Sequence, residues 1–176
     1  LVVAREWERG TMEALFATPV RPAEILLGKL VPYFILGMGG MALSVVMAVT
    51  LFEVPLRGSL AMLTLASAVF MVTALGMGIF ISSLTRNQFV AAQAAIMATM
   101  LPAIMLSGFI FDIEAMPVWV QAVTYIVPAR SFVSILQTVF LVGDVWPVIW
   151  PNLLALTAFA AVLLAVAARH TRKRLT

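Results

Sequence analysis

The chain has 176 residues, of which 63% are hydrophobic and 11% charged, with a mean hydropathy of +1.09. Soluble domains carry about one quarter charged residues, so this composition excludes them and defines an integral membrane protein. A net charge of +3 with a pI near 10.0 does not point to nucleic acid, because the basic residues flank apolar runs instead of gathering on one folded face; the lack of cysteine excludes disulfides, thiolate nucleophiles and cysteine-ligated metals.

Leu1 to Ala4 read as the apolar end of a preceding span, and no signal-peptide pattern is present at this end. The stretch from Arg5 to Tyr33 then holds eight of the nineteen charged residues, that is, of eleven Lys and Arg plus eight Asp and Glu. Arg5, Glu6, Glu8, Arg9 and Glu13 mix both signs, while Trp7, Ala14 and Leu15 fall at helical spacings on one side. This pattern predicts an amphipathic helix over Arg5 to Ala17. A helix held by lipid headgroups would carry a mainly basic face, so charge of both signs favours a protein partner. Gly10 and Thr11 offer a local break, and Thr18-Pro19 a firm one. Pro22 suits a first helical position, with Glu24 near the positive helix end. Pro32 removes the bond to the carbonyl of Gly28, which predicts a hinge at Gly28 and Pro32 where the chain enters the membrane.

Four uncharged runs follow, each long enough to cross about 30 Å of hydrocarbon at about 1.5 Å per residue. The predicted spans are residues 30–52, 58–85, 88–111 and 147–168, with a coupling region over 1–28 and a basic cytoplasmic tail over 169–176. Residues 115–143 break the pattern, because Arg130 divides them into runs too short to cross alone. As one span they would bury Arg130 at a cost of at least about 2.5 kcal/mol. As outer re-entrant helices they leave nine of eleven Lys and Arg residues on the cytoplasmic side, as the positive-inside rule prefers. The predicted fold is therefore an all-α polytopic membrane helix bundle with four full spans, a cytoplasmic coupling helix and outer re-entrant helices. Pro55 and Gly58 mark an outer turn and Thr85 to Asn87 an inner one. Pro117 opens the first re-entrant helix and Pro128 ends or bends it, while Trp119, Tyr125, Trp146 and Trp150 form an outer aromatic belt.

The sole histidine, His170, lies in the basic tail, and Gly28-Lys29 lacks the flanking residues of a nucleotide-binding loop. None of the eight acidic residues falls within the four spans, which disfavours proton relays and intramembrane enzymes. Small residues at Gly37, Gly40, Ser44 and Ala48, at Gly76 and Gly78, and at Ala91, Ala94, Ala95 and Ala98 allow close helix approach, within the chain or to a second copy. The eleven methionines read mainly as gap-filling or lipid-facing residues.

Arg5 to Tyr33 resembles the cytoplasmic segment between the second and third spans of ABC-2 type transporter permeases, the membrane subunits of bacterial ABC exporters. Glu8, Gly10, Thr11, Glu13, Thr18, Pro19, Glu24, Gly28 and Lys29 carry that resemblance. Leu106 to Phe132 is similar to the family's outer signature through Ser107, Gly108, Phe109, Phe111, Met116, Pro117 and Pro128, and Arg169 to Leu175 to its basic tail. Asp112 and Gln137 depart from the pattern, which commonly has proline and arginine there. The resemblance implies a multi-pass subunit of the bacterial inner membrane with six spans in the intact protein, working as a dimer with a second copy or homologue. It implies export of a drug or lipid-like substrate, powered by a separate cytoplasmic ATP-binding cassette ATPase. ATP would bind to that partner, with no cofactor, metal or catalytic residue on this chain. The ATPase-coupling interface would be Arg5, Glu6, Glu8, Arg9, Gly10, Thr11 and Glu13. The alternative is a membrane anchoring or assembly subunit whose spans are fully packed and enclose no transport path.

Overall fold

The computed structural model describes residues 22–85 and 87–172. The predicted coupling helix, with Arg5, Glu6, Glu8, Arg9, Gly10, Thr11 and Glu13, lies outside the described residues, as do Arg86 and the last four residues of the basic tail. Among the described residues every regular element is a helix. A segment crossing hydrocarbon must satisfy its own backbone polar groups, and a helix does so internally.

Helix α1 spans Pro22–Thr50 and α2 spans Leu60–Thr85. Helix α3 runs over Gln88–Leu106 with a π turn at Ile96–Met100. After a short 3₁₀ turn at Ile113–Ala115 come α4 (Val118–Thr124) and α5 (Pro128–Val142), the latter ending in a second π turn, and finally α6 (Trp146–Arg172). Leu30–Thr50 of α1, α2, α3 and Trp146–Ala167 of α6 are each long and apolar enough to cross a membrane.

Two boundaries differ from the sequence-based expectation. The short helix from Pro22 and the first span form one 29-residue helix that continues through Pro32; proline removes one hydrogen bond, and the apolar residues on either side carry the helix past it. The third span ends at Leu106 instead of residue 111. Gly108 adopts φ +81°, a left-handed conformation that suits glycine and stops a helix.

Helices α2 and α6 run in the same direction, and α5 runs opposite to both. At one end of the bundle the Gly58 N–H donates to Val139 O (2.8 Å). Further along, Phe70 stacks on Phe132 with ring centroids 4.2 Å apart, Thr73 meets Leu156 O at 3.2 Å, and Gly76 faces Leu163 and Leu164. Because α3 runs antiparallel to α2 through the tight turn at Asn87, the chain leaves α3 and enters α6 at the same end of the bundle. The side chain of Asn87 caps α3 by accepting from Phe89 N–H (2.9 Å) and Val90 N–H (3.2 Å).

The core sits where α2, α5 and α6 meet. Leu63, Ile135, Val139, Ile149 and Leu156 are fully buried there, with Met62, Ala66 and Leu153 alongside. In a bilayer, van der Waals fit drives such packing more than the hydrophobic effect, since lipid tails are as apolar as leucine. Thr73, also buried, shares its hydroxyl proton between Val69 O (2.9 Å) and Leu156 O (3.2 Å). Interhelical hydrogen bonds in membranes average about 0.6 kcal/mol, and valine is close in shape. Thr73→Val is therefore expected to cost less than about 1 kcal/mol, read from the unfolding midpoint in detergent.

Helix α1 is peripheral, with no buried residue in its apolar stretch. It touches α2 where Met71 lies against Gly37, whereas a Cβ added at Gly40 or Gly78 would meet nothing within 4 Å. Within this chain, then, the small residues at Gly37 and Gly76 line helix contacts and those at Gly40 and Gly78 do not.

Candidate functional site

Between Leu106 and Trp146 the chain builds a bent hairpin, α4 and α5 meeting at 89°. Pro117 precedes α4 as its capping residue and Pro128 occupies the first turn of α5. Pro128 thus opens a helix instead of ending one: α4 has already stopped at Thr124, and a proline lacking its N–H fits where no helical partner exists. The predicted outer-signature residues shape the approach to this hairpin. Ser107 is buried and its Oγ accepts from Phe109 N–H (3.3 Å), while Gly108 makes the reversal. The Met116 carbonyl accepts from Gln121 Nε2 (2.9 Å), which ties the start of α4 to its middle. Gln137, a departure from the family pattern, donates to Gly108 O (3.4 Å) and links α5 to that reversal.

Depth along the bundle follows from the packing. Phe132 lies beside Phe70, ten residues into α2, or about 15 Å from its start. The tip at Tyr125 to Arg130 therefore reaches roughly the middle of the bundle. There Arg130 donates to Gln121 O (3.2 Å) and to Thr124 Oγ1, and its guanidinium lies 3.6 Å from the centroid of the Tyr125 ring. A cation at the C-terminal end of α4 satisfies one carbonyl of its last turn and complements the helix dipole, and the aromatic face adds a cation–π contact. Tyr125, expected in the outer aromatic belt, is instead Arg130's partner at mid-depth. Trp119, Trp146 and Trp150 remain exposed on the surface.

Facing the tip is a cavity of about 510 Å³ between α2 and α3. Its walls are nearly all apolar and include Phe70, Met77, Gly78, Met100, Pro102 and Val127. The π turn of α3 contributes Ala98, Thr99 and Met100 to the lining; such bulges widen a helix locally and recur at functional sites.

A second feature holds the hairpin's far end. Ser59 precedes α2, and its Oγ accepts from Met62 N–H (3.1 Å) while both carboxylate oxygens of Asp144 accept from its own N–H (3.0 Å each). This is a capping box whose acidic half comes from 85 residues away in sequence. Sequence reading missed it, along with Arg130's bonds to α4. No periodicity announces contacts made across a helix break or between distant segments; the signal present was only an acid beside Gly143 and a lone cation in an apolar run.

The predicted hinge residues Gly28 and Pro32 both lie inside α1, and a side chain at Gly28 would meet nothing within 4 Å. Among the described residues no group of three or more metal-ligating side chains converges.

A bundle of four membrane-length helices with a bent hairpin inserted at one end defines a polytopic α-helical membrane protein. Residues 1–169 match the family described as ABC-2 family transporter protein, and the chain belongs to that family. It is 53% identical over 175 residues to the probable multidrug ABC transporter permease YbhS of Escherichia coli K12, covering 99% of this chain and 46% of that protein. Similarity extends to the probable multidrug ABC transporter permease YbhR of the same organism (35% identity, 90% of this chain and 44% of the relative). It also extends to its inner membrane transport permease YhhJ (31% identity, 96% and 45%). The chain thus spans about half the length of the curated relatives it matches. No solved structure matches it at a significant level.

Proposed function

We propose that this chain forms the membrane-spanning part of a permease that exports a drug or lipid-like molecule from the bacterial cytoplasm across the inner membrane. A separate ATP-binding cassette ATPase supplies the energy, and the permease works as a dimer with a second copy or homologue. The observation that carries this reading is the family match over residues 1–169, together with relatives whose names describe ABC transporter permeases. The arrangement of the bundle supports it. An apolar cavity beside a bent hairpin fits a transport path better than the fully packed spans of an anchoring subunit. Because α3 ends and α6 begins at the same end of the bundle, α4 and α5 act as an outer re-entrant pair, and the ends that carry the coupling segment and the basic tail share the cytoplasmic side.

In mechanism, closure of the ATPase dimer moves the Arg5 to Ala17 helix, and α1 passes that movement into the bundle. As one continuous helix α1 behaves as a lever, with Gly28 and Pro32 as its softest points. Coupling requires contacts that differ between two states. The test is co-purification of the intact protein with a soluble ATPase, followed by a screen of apolar compounds for stimulation of its hydrolysis. Stimulation of at least about fivefold by a transported compound is expected, at the low end of ordinary coupling energies. An ATPase that binds but responds to no compound favours the anchoring subunit.

A further inference from the structure

Where α3 stops and the chain turns toward α4, a second cavity of about 470 Å³ opens on the surface. Its walls include Leu101 and Met105 of α3, Phe111 and Met116 of the connecting segment and Val120 of α4, and among the described residues that line it Asp112 alone is polar. Pro102 and Leu106 line this cavity and the one between α2 and α3, so the end of α3 borders both.

Asp112 is exposed, and one of its carboxylate oxygens is left over by the fold. Its Oδ1 accepts from Glu114 N–H (3.0 Å), while Oδ2 has no partner among the described residues. Asp144, by contrast, turns both oxygens to Ser59 N–H. The surroundings carry the same sign: the loops joining α1 to α2, α3 to α4 and α5 to α6, all at this end of the bundle, hold Glu53, Asp112, Glu114 and Asp144 against Arg57. Such a surplus raises the local concentration of cations.

We infer that this cavity is a binding site for a lipophilic organic cation, with the positive centre at Asp112 and the apolar body against Met105, Phe111 and Met116. Its volume lies within the roughly 300–1,000 Å³ of small-molecule sites. The aromatic ring of Phe111 offers a face to a cation, and the flexible thioethers of Met105 and Met116 adapt to bodies of different shape. A zwitterionic phospholipid fits less well, because its phosphate would enter the same acidic surroundings as its ammonium group. The site rests on its own geometry and not on the permease reading.

Equilibrium dialysis of the intact protein in a neutral detergent tests this, with tetraphenylphosphonium as the probe and tetraphenylborate, a body of like shape and opposite charge, as the reference. Comparing the two ions removes what the apolar body contributes to both. Wild type should bind tetraphenylphosphonium saturably, and Asp112→Asn should lower its affinity relative to tetraphenylborate about fivefold, the upper range for an exposed ion pair. Asparagine keeps a side-chain oxygen to accept from Glu114 N–H, so the turn is preserved. Ala115→Trp adds bulk from an exposed position on the cavity wall and should weaken both ions alike. Absence of saturable tetraphenylphosphonium binding in wild type overturns the proposal, as it would if lipid or a second copy covered the groove. An unchanged affinity ratio in Asp112→Asn overturns it as well; should that variant not fold, unchanged binding in Ala115→Trp does so. Displacement of the probe by an equal concentration of dihexanoyl phosphatidylethanolamine assigns the groove to a lipid head and also overturns it. No ATPase takes part, so failure here leaves the permease reading standing.

Discussion

If the proposed coupling holds, charge reversal at both Glu8 and Glu13 (Glu8→Lys, Glu13→Lys) is expected to lower ATP-driven transport at least about fivefold while the protein still inserts in the membrane, because coupling between two sites is ordinarily worth about 1–3 kcal/mol. The two acids lie in a segment that carries charge of both signs, and reversing them would turn attraction across the proposed docking surface into repulsion. Transport assayed in vesicles with the ATPase co-reconstituted, and ATPase binding assayed separately, divides the effect into two parts. Lost transport with binding retained assigns force transmission to this segment. Lost transport with binding also lost assigns docking. Unchanged transport removes the segment from the mechanism.

Gly58→Ala is expected to destabilise the bundle by about 2–4 kcal/mol. A Cβ at Gly58 would stand 2.7 Å from Asp144 Oδ1, 2.9 Å from Val139 Cγ1 and 3.0 Å from Val139 O. One of those neighbours is backbone and another is the carboxylate that completes the α2 cap, so relief requires separating α5 and the start of α6 from α2. Overpacking of this kind costs about 1–3 kcal/mol, and loss of the cap adds about 1 kcal/mol. Gly76→Ala is the control. Its Cβ would meet Leu163 Cβ at 3.4 Å, an ordinary contact, and it should change the unfolding midpoint little. Equal effects of the two substitutions would mean that the Gly58 to Asp144 contact does not hold the hairpin.

The membrane spans were legible because length, low charge and turn residues suffice to define them: Leu60–Thr85 and Trp146–Arg172 fall within a few residues of the predicted limits. Proline was legible as a boundary but not as a particular kind of boundary. Pro128 starts a helix where sequence alone allowed an ending or a bend, and Pro32 lies within α1 where a separate short helix was expected. The same missing N–H is compatible with each outcome, and packing selects among them. Glu53 shows the limit most simply. It takes the left-handed conformation after α1, with φ 52°, at a position where composition would have pointed to glycine.

The sequence by itself determined that this is a helical membrane protein with four apolar runs long enough to cross, that Arg130 divides a further apolar run, and which family pattern it carries. Those properties depend on local composition and on the cost of charge in hydrocarbon, both additive along the chain. Tertiary structure decided that Tyr125 and the last turn of α4 hold Arg130, that Asp144 caps α2, and that the hairpin tip faces a cavity between α2 and α3. Each of these is a contact between segments separated by a turn or by tens of residues. Its energy depends on shape and approach distance, which no local pattern encodes.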